Sequence, residues 1–476
     1  MSAIIGRTEE IAQLQKAYKS SKSEFVALYG RRRVGKTFLV REFFNYSFSF
    51  QLSGLANATT PQQLASFHAT YLRHDESSLA DIPKNWLEAF QTLIFYLEKQ
   101  KTEEKLVIFL DELPWLDTSG SDFVMALEHF WNSWATNRKD VLLITCGSAA
   151  SWMLNTLINN HGGLHNRVTY RMMVEPFTLH EADLLLKANG CVFDHYQTLQ
   201  IYMVTGGVPF YLEQIQPGLS AAQNIERLCF RKRGLLALEF NNLFSSLFKK
   251  SEKHEALIQA LAQKPLGLTR KALAGITKFS SGGSLTRYLN ELEESGFIAS
   301  FPVFGKKSST HSMYRLVDFY SLFYLKFIKN NNDFDEGVWV QSVDHPAQRA
   351  WFGHAFELVC LQHIDQIKKA LHIGGVLTRQ SYWKSKSSEN GAQIDLVIDR
   401  RDQVLNLCEI KFSINQFSIS KDYAAKLRNK IGSFREETNT RKTTFLTFIS
   451  TFGLKENMHS QSLVQQSLTM EVLFEK

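Results

Sequence analysis

Gly30-Arg-Arg-Arg-Val-Gly-Lys-Thr37 is the stretch that decides how this chain is read. An apolar run, Phe25-Val-Ala-Leu-Tyr29, stops abruptly at Gly30, and Phe38-Leu-Val-Arg-Glu-Phe-Phe44 follows with apolar residues at helical spacing. The order is strand, loop, helix. Glycines at Gly30 and Gly35 let the backbone N–H groups of Arg31, Arg32, Arg33 and Val34 curl around phosphates, and the helix N-terminus adds partial positive charge. The G-x-x-x-x-G-K-[ST] spacing assigns Lys36 to the β- and γ-phosphates of ATP and the Thr37 hydroxyl to a magnesium ion (Mg2+). A glycine-bearing basic loop is the plain alternative, and the flanking strand and helix count against it.

Two further apolar runs have the continuous character of parallel strands buried on both faces. Leu106-Val-Ile-Phe-Leu110 ends in Asp111-Glu112, and a carboxylate at such a strand end lies in the crevice where open α/β sheets bind ligands. Asp111 is expected to hold the magnesium ion through its water shell, and Glu112 to polarise the water that attacks the γ-phosphate. The second run, Val141 to Gly147, ends in Ser148, which either contacts the γ-phosphate or caps the helix that contains Trp152. Downstream, Arg167 in Gly163-Leu-His-Asn-Arg167 is a candidate arginine finger, in cis or in trans, with a surface salt bridge as the ordinary alternative and Arg171 as a competitor.

A chain of 476 residues exceeds one ordinary core and calls for about three domains. Hydrophobic residues at 44% and charged residues at 21% fit a soluble globular protein, and a net charge of +7 permits nucleic-acid contact without requiring it. The five cysteines form no C-x-x-C pair and several sit in apolar runs, as buried thiols of a reducing compartment do. No run approaches the roughly 18 to 20 apolar residues of a membrane span, and the first residues lack the layout of a signal peptide. The expectation is a cytoplasmic protein with no membrane partner.

The opening Gly6-Arg7-Thr8-Glu9-Glu10 resembles the base-proximal element of AAA-like and STAND ATPases, and is also an amphipathic helix with acidic residues in its first turn. Gly207-Val-Pro209, turn chemistry in itself, resembles the Gly-x-Pro module that joins nucleotide site to helical lid in STAND and origin-recognition-type ATPases. That resemblance implies a helical lid from about Leu179 to Phe240.

After Lys250 the pattern changes. Helices are expected around Ala256–Leu261, from the N-cap Thr269, and over Ser284–Glu294, followed by strands at Phe297–Phe301 and Met313–Leu316. This is the order of a winged helix-turn-helix. In a DNA-binding version Ser284, Arg287 and Asn290 face outward, with Lys306 and Lys307 on phosphates. Glu291, Glu293 and Glu294 would repel the DNA backbone, so a structural lid or dimer surface stands as the alternative.

In the last segment, Ala392-Gln-Ile-Asp-Leu-Val-Ile398 and Val404-Leu-Asn-Leu-Cys-Glu-Ile-Lys-Phe412 flank the charged turn Asp399–Gln403 and form a hairpin. A turn centred near Arg401 sets Asp395 against Leu407 and Gln393 against Glu409. Strand alternation crowds Asp395, Glu409 and Lys411 on one face. A divalent ion, Mg2+ or Mn2+, would neutralise the carboxylates, with Lys411 orienting a water or stabilising the phosphate; a cross-strand salt bridge is the plain alternative. The pattern resembles the PD-(D/E)XK nucleases, with Ile394 in place of the proline. The resemblance implies that Glu357, on the preceding helix, is an additional metal ligand.

Taken together, the chain resembles a prokaryotic family of AAA/STAND-like ATPases that carry a winged helix and a C-terminal PD-(D/E)XK domain of the DUF234 type. The implied fold class is multidomain α/β. A P-loop NTPase core over 1–178 is followed by a helical lid over 179–245, a winged helix over 246–333 and a restriction-endonuclease-like domain over 334–476. The implied activity is ATP hydrolysis controlling a metal-dependent DNA nuclease, in a possible homo-oligomer. The rival is an ATP-driven, DNA-binding switch with an inert nuclease-like domain.

Overall fold

Strands β1 (Glu24–Tyr29), β2 (Phe50–Ser53), β3 (Leu106–Asp111), β4 (Val141–Gly147) and β5 (Tyr170–Met173) form one parallel sheet in the order β2-β3-β4-β1-β5. The computed structural model describes residues 4–75, 81–100, 104–159, 162–248, 251–279, 282–306, 312–331, 337–385 and 391–476. All residues of β3 and β4 are buried, which is why these runs carry no polar alternation. One face packs on α1 (Thr8–Tyr18) and α2 (Lys36–Phe43), through Leu14, Ala17, Leu39 and Val40. The other packs on α3 (Thr60–His74) and α4 (Trp86–Lys99), through Phe67, Trp86, Phe90 and Leu93.

The chain divides into two compact units, Met1–Glu175 with Glu294–Gly296, and Pro176–Glu293 with Phe297–Lys476. The second begins with helices α5 (Leu179–Ala188), α6 (His195–Thr205), α7 (Ala221–Cys229) and α8 (Leu235–Leu247). Thr178 with Glu181, and Ser220 with Gln223, close capping boxes at α5 and α7. The turn after α6 requires glycine: Gly207 has φ +69°, and a Cβ there would lie 2.1 Å from the Phe177 carbonyl oxygen.

Next come α9 (Ser251–Ala262), β6 (Leu268–Thr269), α10 (Arg270–Thr277), α11 (Gly283–Glu294), β7 (Ile298–Phe301) and β8 (Met313–Leu316), with the strands antiparallel in the order β6-β8-β7. Thr269 caps α10 by accepting from the Ala272 N–H at 3.2 Å. Ser284, Arg287 and Asn290 are exposed on α11. Glu291 accepts from His254 Nε2 at 2.7 Å and Glu293 from the Ser300 N–H at 2.9 Å, so two of the acids expected to repel the DNA backbone are engaged internally. Lys306 is exposed; Lys307 lies outside the described residues.

The last segment supplies α12 (Pro346–Gln362), β9 (Thr378–Lys384), β10 (Gln393–Arg400), β11 (Val404–Lys411), α13 (Lys421–Thr438), β12 (Thr443–Ser450) and β13 (Gln466–Thr469). Their mixed sheet has the order β13-β12-β11-β10-β9. The β10–β11 hairpin forms, but in a different register: Leu396 pairs with Cys408 and Val397 with Leu407. One residue further along, that register sets Asp395 against Glu409 rather than against Leu407. The cause is a three-residue loop between Arg400 and Val404 with Gln403 at φ +66°, which centres the turn on Asp402 instead of Arg401.

Segments expected as separate domains pack as one unit because buried polar groups tie them together. The Leu179 N–H donates to His363 Nε2 at 2.9 Å, and the Glu226 carboxylate accepts from the N–H groups of Gly337 (3.0 Å) and Trp339 (2.7 Å). Beyond β7 the chain docks on β9: Val303 bridges to Tyr382, and the Phe304 N–H donates to the Tyr382 carbonyl at 2.9 Å. The expected boundary at 333 to 334 falls within residues that are not described. Among the described residues, no helix is long and apolar enough to cross a membrane.

Leu143 on β4 is fully buried beside Ile108 and Phe25. Leu143→Ala is expected to destabilise the first unit by about 2–5 kcal/mol, read as a lower denaturation midpoint for that unit's unfolding transition.

Candidate functional site

Strand β4 separates β1 from β3, so Ser148 emerges between the Gly30–Thr37 loop and Asp111-Glu112, all at one edge of the sheet. Gly30 has φ +140°, and a Cβ would lie 2.3 Å from the Val174 carbonyl oxygen. Gly35, at φ +88°, starts α2. The buried Lys36 side chain curls back, and Nζ donates to the carbonyls of Gly30 (3.0 Å) and Arg31 (2.8 Å). Burial pushes its ammonium below the ordinary lysine range, against the opposing pull of Glu112 and Asp111.

Thr37 Oγ1 lies 3.0 and 3.1 Å from the two Asp111 oxygens. Glu112, at φ +47°, accepts through Oε2 from the Ser148 N–H (3.2 Å) and hydroxyl (2.9 Å). The donor set fits a magnesium–nucleotide pair: a hydroxyl and a carboxylate already adjoin, and the ammonium beside them is held by neutral carbonyls.

The sequence reading missed Cys146 and the contact that Arg7 makes. Cys146 donates its thiol to Asp111 Oδ1 at 2.7 Å, and burial together with Asp111 keeps it protonated. Only its place at the end of β4 could have drawn attention to it. Arg7, in the expected base-proximal element, pairs with Glu10 at 3.2 Å and donates to the Val34 carbonyl at 2.8 Å, bracing the phosphate loop from behind. Of the three loop arginines Arg31 is buried, Arg32 and Arg33 are half-buried, and Arg33 takes φ +71°.

Two expectations change. Ser148 does not cap the following helix, where Ala149 holds the cap position; its hydroxyl is committed to Glu112. Arg167 is exposed in the turn before β5, and Thr169 bonds to Phe25 at the start of β1. The parallel pairing of β5 with β1 therefore leaves Arg167 at the edge of the sheet opposite Gly30–Thr37, so it is not brought to the phosphate loop of its own chain. Arg171 pairs with Ala27 midway along β1 and is also exposed.

In the second unit Asp395 lies where β10 shifts register against β9, between Ile394 and Val397, a bulge of the kind that re-aims a side chain. Gln393 Nε2 donates to Asp395 at 2.7 Å. Burial and then the neighbouring Glu409 push the Asp395 carboxyl up. Burial, followed by Asp395, pushes Glu357 on α12 up to about 8. Burial would raise Glu409 too, but two lysines outweigh it: Lys411 at 3.0 Å and Lys430 at 2.7 Å, with the Tyr423 hydroxyl also donating, leave Glu409 below its ordinary value. Lys430 and Tyr423 were missed, although their spacing of seven on one face of α13 was visible in the sequence.

The expected residues thus converge, but as a compensated cluster. Among the described residues no three His, Cys, Asp or Glu side chains are gathered closely enough to hold a metal ion. Asp395 and Glu357 are raised chiefly by burial and then by Glu409 and Asp395 respectively, against the pull of Lys411; Glu409 is already paired.

Because the Glu357 pKa rises from 4.5 to about 8 on folding, the unfolded chain ionises first as pH rises, and this residue's contribution to stability falls between those values. Glu357→Gln removes that penalty. Its thermal midpoint, relative to the parent protein, is expected to gain more at pH 8 than at pH 5; an equal effect at both would rule out the assignment.

Residues 4–215 match the model of an ATPase domain found predominantly in Archaea. An uncharacterized protein of Methanocaldococcus jannaschii is 23% identical over 415 residues, 86% of this chain and 87% of that protein. Among solved structures, the Walker-type ATPase PABY2304 of Pyrococcus abyssi superposes with a TM-score of 0.51 at 16% identity, over 68% of this chain and 96% of that one. The last similarity speaks for fold, and the first for the type of domain. Residues 4–215 carry an ATPase domain of the archaeal type.

Proposed function

We propose that this protein is a magnesium-dependent ATP hydrolase whose nucleotide state controls a divalent-metal-dependent phosphodiesterase acting on DNA. For the first activity the carrying observation is the joint placement of Lys36, Thr37–Asp111 and Glu112–Ser148 at one sheet edge. Lys36 is assigned to the β- and γ-phosphates, and Thr37 and Asp111 to Mg2+, which supplies charge neutralisation at the transferring phosphoryl group. Ser148 has one hydroxyl proton. It serves Glu112 in this structure, and a γ-phosphate would compete for it, freeing Glu112 to orient the attacking water. Arg167, remote from its own loop, is assigned as a finger in trans, which requires a second copy of the chain.

The second activity rests on Asp395 standing across from Glu409 with Lys411 on the same face and Glu357 beside them. Asp395 and Glu357, with Glu409 once released, would hold Mg2+ or Mn2+, which polarises a phosphodiester; Lys411 would steady the attacking water. We assign α9 to β8 as the winged helix, with Ser284, Arg287 and Asn290 of α11 presented to DNA. A second reading, a DNA-binding ATP switch with an inert C-terminal site, is favoured by the capture of Glu409 by Lys411, Lys430 and Tyr423.

Four variants separate the two engines. Glu112→Gln is expected to bind ATP but hydrolyse it about 10²–10⁴-fold more slowly, and Lys36→Ala to lose both. Asp395→Ala and Lys411→Ala are expected to lose Mn2+-dependent DNA cleavage while ATP turnover persists. Cleavage retained in Asp395→Ala would sink the site assignment; parent protein that binds but never cuts DNA would select the inert reading.

A further inference from the structure

Strand β8 carries an arginine where strand chemistry calls for an apolar residue. Arg315 is 4% exposed, next to the buried Leu316. Its Nε donates to the Leu266 carbonyl at 3.1 Å. Its guanidinium lies over the rings of Phe301 (5.1 Å) and Tyr382 (5.0 Å), one from the small antiparallel sheet and one from β9. Among the described residues Nη2 has no hydrogen-bond partner. A buried guanidinium nitrogen left in that condition is costly.

Across from this group stand the carboxylates of the second unit. Tyr382, whose ring the guanidinium covers, faces the irregularity of β10 that carries Asp395, and Asp395 and Glu357 both attract the Arg315 charge. Direct collapse would satisfy all three groups. The two rings and the Leu266 carbonyl engage the guanidinium instead, and the pairing of Pro302 and Phe304 with Tyr382 joins the two sheets at that point. A ligand that presents a cation to the carboxylates and anionic oxygens to Nη2 fills the requirement. A phosphodiester with its divalent ion is such a ligand, and a planar guanidinium matches phosphate oxygens better than an ammonium does.

We propose that Arg315 is the phosphate-holding residue of the carboxylate site, contributed by the small antiparallel sheet to the larger mixed sheet, and that it takes one backbone phosphate of metal-bound DNA. This rests on the metal-dependent reading above. The site is then bipartite: Asp395 and Glu357 receive the ion, Arg315 receives the phosphate, and the element assigned to DNA docking completes the site assigned to cleavage.

The test uses the full-length chain, a short fluorescein-labelled DNA duplex and Ca2+, with binding read by anisotropy and Ca2+ affinity without DNA read by calorimetry. Arg315→Met is expected to weaken the Ca2+-dependent part of duplex binding roughly 10- to 100-fold and to leave Ca2+ affinity without DNA unchanged or tighter, since a nearby positive charge is gone. Arg315→Lys, which keeps the charge but loses the fork, is expected to fall between the two. Duplex binding by Arg315→Met equal to that of the parent protein overturns the proposal. So does a joint loss of thermal midpoint and Ca2+ affinity, which marks a structural role. If Arg315→Met does not fold, Arg315→Lys decides, and parental duplex affinity in that variant overturns the assignment. Parent protein with no Ca2+-dependent duplex binding overturns the underlying metal-dependent reading instead.

Discussion

Burial of β1, β3 and β4 on both faces is the constraint on which the nucleotide site depends. Strands covered on both sides are apolar apart from Glu24 and Thr145, so the reactive groups gather where they end. Because all run parallel, those ends share one edge. The phosphate loop, Asp111-Glu112 and Ser148 are successive exits from the same core. Their spacing is set by strand separation, and the Thr37 hydroxyl lies 3.0 Å from Asp111 Oδ1.

The second unit works under the opposite condition. There Asp395 and Glu409 lie within strands, Lys411 ends β11 and Glu357 comes from a helix, and each must be compensated where it stands. Glu409 is over-compensated by two lysines and a phenol, whereas Asp395 and Glu357 are under-compensated and shifted toward their neutral forms. Burial together with uneven sharing of cations produces this split within one cluster. It distinguishes this site from an ordinary surface ion-pair network, in which screening by water evens out such differences.

Much of this was legible in the sequence. Gly30–Thr37 and the apolar runs ending in Asp111 and Ser148 announced strand, loop and edge, since motif and burial pattern are local properties. Thr269 as a helix cap and the outward face of α11 were legible for the same reason. The hairpin register was not, because whether a turn centres on Arg401 or Asp402 depends on the conformation of a single residue, Gln403. Arg167 was read from its chain position relative to the motifs, which carries no information about which edge of the sheet a turn occupies. Lys430 and Tyr423 were missed because nothing local shows that the helix after β11 packs its face onto Glu409, and an arginine in a short strand such as Arg315 is unremarkable until its burial is known.

The docking of Val303 and Phe304 on Tyr382 bears on solubility as well as on architecture. Strand β9 is the outer strand of its sheet, and an uncovered outer strand offers free N–H and carbonyl groups to any other extended chain. At Tyr382 both groups are occupied from within the molecule, by Pro302 and Phe304. The outer strands of the parallel sheet, β2 and β5, are instead only four residues long. One sheet is guarded by a cover and the other by brevity, two separate protections against edge-to-edge aggregation.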